Sequence, residues 1–178
     1  MKYSNVFHLV AALCGKEKIA YVLIGGFAVN FHKVTRQTAD VDFLITKSDF
    51  DKIAGLLEQE GFKQNYAQEV FVRLSAEKPY LMDLDFMFVD KGTLDKIIKE
   101  AKETHIAGKK FLVPSLNHLI ALKLHSIKHN PGIREYKDLA DIIELIRVNR
   151  LDAKTEVFKA LCLKYGTEGL YRKILERA

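Results

Sequence analysis

Apolar and polar residues alternate along the first 113 residues in a way that predicts a mixed succession of strands and helices. Residues 19–24 form an unbroken apolar run, typical of a buried strand, which ends at two glycines. A short apolar helix is expected over residues 25–31. In two later runs, over residues 40–45 and 81–89, acidic residues alternate with apolar ones, which predicts two further strands. We expect these three strands to be neighbours in one sheet.

The rest of the pattern predicts helices and short strands around this sheet. Helices are expected over residues 4–13, 48–60, 93–103, 115–128, 133–149, 154–164 and 168–178. Short strands are expected over residues 62–66, 69–74, 104–107 and 110–113. Ser4 and Ser48 are predicted N-caps, and Tyr136 is predicted to face inward. We therefore expect an α/β protein in which residues 1–113 form a mixed twisted sheet flanked by helices and residues 114–178 form a helical wall of its cleft.

Two pairs of aspartates stand at alternate positions of the predicted strands: Asp40 with Asp42, and Asp83 with Asp85. Residues two apart on a strand point to the same face, roughly 6.5–7 Å from each other, so each pair shares a face. Carboxylates on neighbouring strands repel each other unless a cation lies between them. Magnesium, or manganese in its place, suits such a site because it prefers carboxylate, water and phosphate oxygens. The pattern therefore predicts a site for a divalent metal.

The glycines at the end of the first strand, Gly25 and Gly26, suggest a second kind of binding. A strand that ends at two glycines and enters a helix lets the backbone approach a ligand closely, with N–H groups free at the helix start. Such a turn suits the phosphates of a nucleoside triphosphate. The surrounding sequence matches neither GxxxxGK[ST] nor GxGxxG.

The combined motif resembles the DNA polymerase β-type nucleotidyltransferase superfamily. Its parts are Gly25, Gly26, Arg36, Thr38, Asp40, Asp42 and a third aspartate on a later strand. More narrowly, the sequence is similar to the branch that contains the toxin component of abortive-infection (type IV toxin–antitoxin) systems, whose C-terminal helices resemble residues 115–123 and 134–142. The resemblance covers about residues 19–147 and implies a polymerase β-like nucleotidyltransferase fold.

The resemblance also implies an activity. The enzyme would transfer a nucleoside monophosphate from a nucleoside triphosphate to an acceptor and release pyrophosphate, with metal and catalysis assigned to Asp40, Asp42 and a third aspartate. Asp85 is favoured for the third position because several apolar residues follow it, as in the family, and Asp83 stays the alternative. The acceptor could be RNA, protein or a small molecule, and an antitoxin protein is an expected partner.

Four further residues are candidate nucleotide ligands: Arg36, Thr38, Lys123 and Lys137. In an extended run, Arg36 and Thr38 share a face with the first aspartates, so Arg36 could neutralise phosphate or brace a carboxylate, and Thr38 could bind a ligand or orient Asp40. The alternatives are an exposed arginine and a plain strand-forming threonine. Lys123 falls within the apolar stripe of its helix, where an ammonium needs either a phosphate or an aspartate partner. The resemblance favours phosphate for Lys123 and alone suggests a role for Lys137.

The net charge of +5 is unevenly distributed. From residue 109 onward, 14 Lys and Arg stand against 8 Asp and Glu, whereas the first 108 residues hold 14 against 15. The basic half could attract a polyanion such as RNA, although lysine-rich helix faces are often simply solvated. The longest apolar stretch, residues 19–31, is too short to span a bilayer, and the sequence begins without a signal-peptide pattern, so a cytoplasmic location without membrane contact is expected.

Other functions fit the sequence less well. A haloacid-dehalogenase-type phosphatase would need Thr or Val where Leu44 stands, and a glycosyltransferase would leave the glycine pair unexplained. The main alternative is a catalytically idle nucleotidyltransferase-fold module that binds RNA or a partner protein through its basic helices.

Overall fold

The structure is a computed structural model that describes residues 3–178, apart from the side chain of Ile133. The chain divides into two compact units. The first contains residues up to Ala28 together with Gln37–Pro114, and the second contains Val29–Arg36 and Ser115–Ala178. The boundary at Pro114 lies next to the predicted one, but the short segment Val29–Arg36 groups with the C-terminal helices. Within the described residues, no helix combines the length and apolar character needed to cross a membrane.

A five-stranded mixed sheet organises the first unit. Its strands are β1 (Val22–Leu23), β2 (Asp40–Ile45), β3 (Phe62–Gln68), β4 (Phe71–Ala76) and β5 (Asp83–Phe88), in the order β1-β2-β5-β4-β3. Only β2 and β5 run parallel, and every other neighbouring pair is antiparallel. The three strands expected to be neighbours are therefore adjacent, as the sequence predicted.

Alternation along the two central strands gives this sheet one apolar face. Val41 and Phe43 on β2, and Leu84 and Phe86 on β5, are fully buried, whereas the aspartates between them point to the opposite face. The first unit also contains the following elements: α1 (Val6–Lys16), the start of α2 (Gly25–Phe31), α3 (Lys47–Gln59), α4 (Lys91–Lys99) and the hairpin of β6 (Lys102–Ile106) and β7 (Lys109–Val113).

The second unit is helical. Besides the end of α2, it contains α5 (Leu116–His129), α6 (Pro131–Asn149), α7 (Glu156–Tyr165) and α8 (Glu168–Arg177). Its buried apolar residues recur at helical spacing, as in Leu119, Ile120, Leu124 and Ile127 on α5. The predicted mixed architecture with a helical C-terminal part is confirmed.

The N-caps differ from those predicted. Asn5, not Ser4, caps α1, because its side-chain oxygen accepts the backbone N–H of His8 at 2.9 Å. Thr46, not Ser48, caps α3 and accepts the N–H of Asp49. In both cases a neighbouring side chain can reach the third helical N–H, which is the requirement for a cap.

The predicted inward position of Tyr136 is wrong, since this side chain is 94% exposed. The buried stripe of α6 instead includes Asp138 and Asp141 beside Leu139 and Ile142. The two carboxylates occupy inward positions because they pair with a buried lysine of α5, described below. Helical periodicity in the sequence assigns apolar residues to the inward face of a helix, so it could not predict that these aspartates are buried.

Candidate active site

Four aspartates meet on one face of the sheet. In the parallel pairing of β2 with β5, Asp40 lies opposite Asp83 and Asp42 lies opposite Asp85. Neighbouring strands are about 4.8 Å apart, so paired side chains on one face are close neighbours. Asp85 is only 2% exposed, and the other three aspartates are partly exposed. The structure thus brings together the carboxylates that the sequence singled out.

Gly25 brings the glycine turn against Asp42. Its φ of +63° favours glycine, and a Cβ at this position would lie 1.9 Å from Oδ2 of Asp42. A side chain at residue 25 would therefore collide with the carboxylate. The start of α2 and the middle of β2 are in direct contact, and this close approach requires glycine.

Gly26 makes room for Thr38 in a similar way. A Cβ on Gly26 would lie 2.7 Å from both Cβ and Oγ1 of Thr38. The Thr38 hydroxyl donates to Oδ1 of Asp40 at 2.8 Å and approaches the Asp40 carbonyl oxygen at 3.1 Å. Of the roles considered for Thr38, the geometry matches the one in which it orients Asp40.

Arg73 on β4 joins the site, and sequence reasoning missed it. Its Nε donates to Oδ1 of Asp85 at 2.8 Å, its NH2 group contacts Oδ2 of Asp85, and the same group lies 3.8 Å from Oδ2 of Asp40. The hydrogen bonds to Asp85 are the main cause of a raised pKa of the Arg73 guanidinium, and the charges of Asp85, Asp40 and Asp42 add to it. The available signal was an arginine between two apolar strand positions, Val72 and Leu74, both of which are buried. That Arg73 lies beside Asp85 follows only from the pairing of β4 with β5, which the sequence does not show.

Asp83 has a different environment from Asp85. Its Oδ1 accepts the backbone N–H of Ala76 at 2.9 Å, and its Oδ2 is 3.3 Å from the hydroxyl of Ser75. Both of its oxygens therefore hold the end of β4 in place. Asp85 lies opposite Asp42, two residues further along each strand.

The other candidate residues belong to the second unit. Lys123 is 6% exposed, and its ammonium donates to Oδ1 of Asp138 at 2.9 Å and to Oδ2 of Asp141 at 2.6 Å. Arg36 donates from NH1 to the same oxygen of Asp141 at 3.0 Å. Lys137 is exposed. The buried ion pair that the sequence left open for Lys123 is thus present, as a four-residue charge cluster that includes Arg36.

The carboxylates of β2 and β5 are a chemically suitable donor set for magnesium, because all of their donors are hard oxygens. Within the part of the chain that the structure describes, no three His, Cys, Asp or Glu side chains are arranged so that they could hold a metal ion together. Here Asp85 is engaged by Arg73, and one oxygen of Asp40 accepts from Thr38. The assignment of Asp40, Asp42 and Asp85 as metal ligands therefore stays a prediction.

A family model described as an uncharacterised nucleotidyltransferase matches residues 4–178. The chain belongs to this nucleotidyltransferase family. The predicted enzyme class is thereby confirmed, whereas the narrower toxin–antitoxin branch stays a prediction. No curated protein matches the sequence significantly.

Solved structures of nucleotidyltransferases share the fold. A structure of ANT(2'')-Ia in complex with adenylyl-2''-tobramycin has a TM-score of 0.64 at 15% identity, over 90% of this chain and 94% of that one. The lincosamide antibiotic adenylyltransferase LnuA, bound to lincomycin, has a TM-score of 0.54 at 20% identity, over 79% and 94%. A putative nucleotidyltransferase from Thermotoga maritima has a TM-score of 0.51 at 16% identity, over 74% and 89%. At these identities the likeness shows the fold.

Proposed function

We propose that this nucleotidyltransferase is metal-dependent and transfers a nucleoside monophosphate to a hydroxyl group of its acceptor. The observation that carries the proposal is the pairing of Asp42 with Asp85 on adjacent parallel strands, with Asp42 packed against the turn at Gly25. The Arg73 guanidinium offsets only part of the negative charge of these carboxylates, and a divalent cation would offset more of it. A magnesium ion there would offset the charge of the triphosphate and polarise its α-phosphate.

The proposed chemistry divides among residues of the first unit. The acceptor oxygen bonds to the α-phosphorus, the bond to pyrophosphate breaks, and the hydroxyl proton passes to a carboxylate oxygen of Asp85. A carboxylate has about four lone-pair sites, so Asp85 can accept this proton beside its bonds to Arg73. Backbone N–H groups at Gly25 and Gly26 would bind phosphate, and Thr38 would hold Asp40 in orientation.

Asp85 is favoured over Asp83 as the third carboxylate. Both carboxylates have their two oxygens engaged, Asp83 by Ser75 and Ala76 of β4 and Asp85 by Arg73. Asp85 is favoured because it is the one that pairs with Asp42 beside the glycine turn. Arg36, Lys123 and Lys137 stay candidate phosphate ligands. For Arg36 and Lys123, a phosphate contact would add to, or replace, the bonds they make to Asp141.

The test is transfer of label from each α-labelled nucleoside triphosphate in a cell extract with magnesium. We expect Asp42→Asn and Asp85→Asn to lower transfer by at least about three orders of magnitude, since several kcal/mol of transition-state stabilisation is lost. Asp83→Asn is the matched control and should keep most of the activity. Full transfer by Asp42→Asn would contradict the proposal, and an inactive Asp83→Asn beside an active Asp85→Asn would exchange the two roles.

The resemblance to the toxin branch adds a narrower proposal. Expression of the protein would arrest growth, the arrest would require Asp42, and a co-expressed antitoxin protein would relieve it. The alternative, a catalytically idle module with this fold, predicts a different result: the protein would bind RNA in a salt-sensitive way and would not bind magnesium and nucleotide.

A further inference from the structure

The surroundings of Asp85 differ on its two sides. On one side lies β2, where Asp42 leads to the glycine turn that is assigned above to the nucleotide. On the other side lies β4, where Arg73 is directly opposite Asp85, and beyond it the edge strand β3. An acceptor whose hydroxyl reaches Asp85 must extend away from the nucleotide. Within this sheet, β4 and β3 are the strands on the side of Asp85 away from the glycine turn.

That part of the face carries a row of aromatic and apolar side chains. Phe71 on β4 is paired with Met87 on β5, and Tyr66 on β3 is paired with Arg73. The ring centroids of Tyr66 and Phe71 are 6.2 Å apart, and the guanidinium carbon of Arg73 is 5.9 Å from the centre of the Phe71 ring. Tyr66, Phe71 and Met87 are here called the aromatic platform, and Arg73 connects it to Asp85.

The platform is accessible to a ligand. Tyr66 is 50% exposed, and Phe71 and Met87 are partly exposed. On the opposite face of β4, by contrast, Val72 and Leu74 are buried in the core. Exposed rings on the same face as a charged site offer flat apolar surfaces on which a ring of a small molecule can stack.

The charged residues near the platform do not favour binding of a nucleic acid through its phosphate backbone. Lys63 of β3 forms a salt bridge with Glu77, and Arg73 of β4 forms a salt bridge with Asp85. These are the only cationic residues that the sequence places in the two strands. Nucleic-acid binding depends on cations that neutralise phosphates, and both of these are already engaged. The neutral amide of Gln68, paired in register with Phe71, can exchange hydrogen bonds with hydroxyl groups.

We propose that the aromatic platform binds the acceptor, and that the acceptor is a small, uncharged, hydroxyl-bearing molecule with an apolar ring face. This inference rests on the proposed function, because it takes Asp85 as the residue that receives the hydroxyl proton. The acceptor oxygen bonds to the α-phosphorus, pyrophosphate leaves, and the proton goes to Asp85. Stacking on Tyr66 and Phe71 fixes the acceptor and contributes to its KM.

The experiment uses the full chain, magnesium and α-labelled nucleoside triphosphates. A cell extract is separated into RNA, protein and molecules below about 3 kDa, a cut-off well under the size of a folded domain. The label is expected in the small-molecule fraction, resistant to ribonuclease and protease. With the same small-molecule fraction, taken before labelling, as the acceptor, Tyr66→Ala and Phe71→Ala should each raise the apparent acceptor KM roughly three- to tenfold, the range for loss of an aromatic contact.

Two controls separate stacking from unfolding. Tyr66→Phe keeps the ring and should behave like the wild type, and so should Gln64→Ala, because Gln64 is paired with Leu74 on the opposite face of β3. Binding of magnesium and nucleotide, measured by calorimetry, should be the same in all four variants. Label on RNA or protein, or an unchanged acceptor KM in both alanine variants, would overturn the platform and leave the proposed function standing. Absence of nucleotide binding and of transfer to any fraction would overturn both.

Discussion

At the scale of single residues, the site depends on glycines that make room for the side chains of β2. Gly25 lies against the carboxylate of Asp42, and Gly26 lies against Thr38. The sequence suggested that the glycine pair serves phosphate binding through free N–H groups. The structure adds a packing reason, since each glycine permits a contact that orients an aspartate or its neighbour. Both reasons can hold, because a glycine backbone lets the side chains of β2 approach on one side and a phosphate on the other.

A substitution at Gly25 tests this packing. Gly25→Ala places a methyl group 1.9 Å from Oδ2 of Asp42 and requires a positive φ, so we expect a loss of at least about 1–2 kcal/mol in the free energy of unfolding and loss of transfer activity. Gly55→Ala is the matched control, since a Cβ there meets nothing within 4 Å on α3. It should stabilise the protein by about 0.5–1 kcal/mol. Urea unfolding of both variants measures the effect, and equal stability would contradict the account.

At the scale of elements, α5 and α6 are joined by buried charges as well as by apolar contacts. Asp138 and Asp141 stand three residues apart on α6, and the ammonium of Lys123 on α5 contacts both. The wheel of α5 correctly placed Lys123 inside an apolar stripe. Its partners could not be predicted, because they lie 15 and 18 residues further along the chain and depend on how the two helices pack.

Removing this lysine tests the contribution of the charge cluster. In Lys123→Met, Asp141 keeps Arg36, but Asp138 loses the ammonium that it contacts in the buried cluster. We expect the free energy of unfolding to fall by about 3–5 kcal/mol, the usual cost of breaking a buried ion pair. Lys137→Met, on the exposed side of α6, should change it by less than about 0.5 kcal/mol. If Lys123→Met unfolds at the wild-type urea concentration, the cluster contributes no stability.

At the scale of the whole molecule, the sequence predicted the parts of the site that follow from strand periodicity. The alternation around Asp42 and Asp85 predicted that the aspartates of each strand share a face, and the hypothesis of a common metal predicted that the two strands are neighbours, as they are. The glycine turn was expected beside them, and Gly25 lies against Asp42. To predict that Arg73 belongs to the site, one would have to know that β4 pairs with β5, and no local sequence pattern shows this pairing. The same applies to the aromatic platform, because the faces of Tyr66 and Phe71 depend on a register that shifts between Gln64 and Tyr66.

Ligand-dependent stability of the whole chain provides a final prediction. If the carboxylates of β2 and β5 hold magnesium with the triphosphate, then ligand at about 100 times its Kd should add about 2.7 kcal/mol to the free energy of unfolding. For a chain of 178 residues this corresponds to a rise in Tm of roughly 5–10 °C, measured by differential scanning fluorimetry or calorimetry. A chelator should abolish the rise because the triphosphate then lacks its cation.

Asp42→Asn distinguishes this ligand effect from a general effect of salt on the protein. The variant should lose the rise in Tm, while its unliganded Tm stays equal to or above that of the wild type because one like charge is removed from the carboxylate face. Asp83→Asn should keep the rise, since Asp83 holds β4 through Ala76 and Ser75. An undiminished rise in Asp42→Asn would place the triphosphate elsewhere on the molecule, because a ligand stabilises only through the groups that bind it.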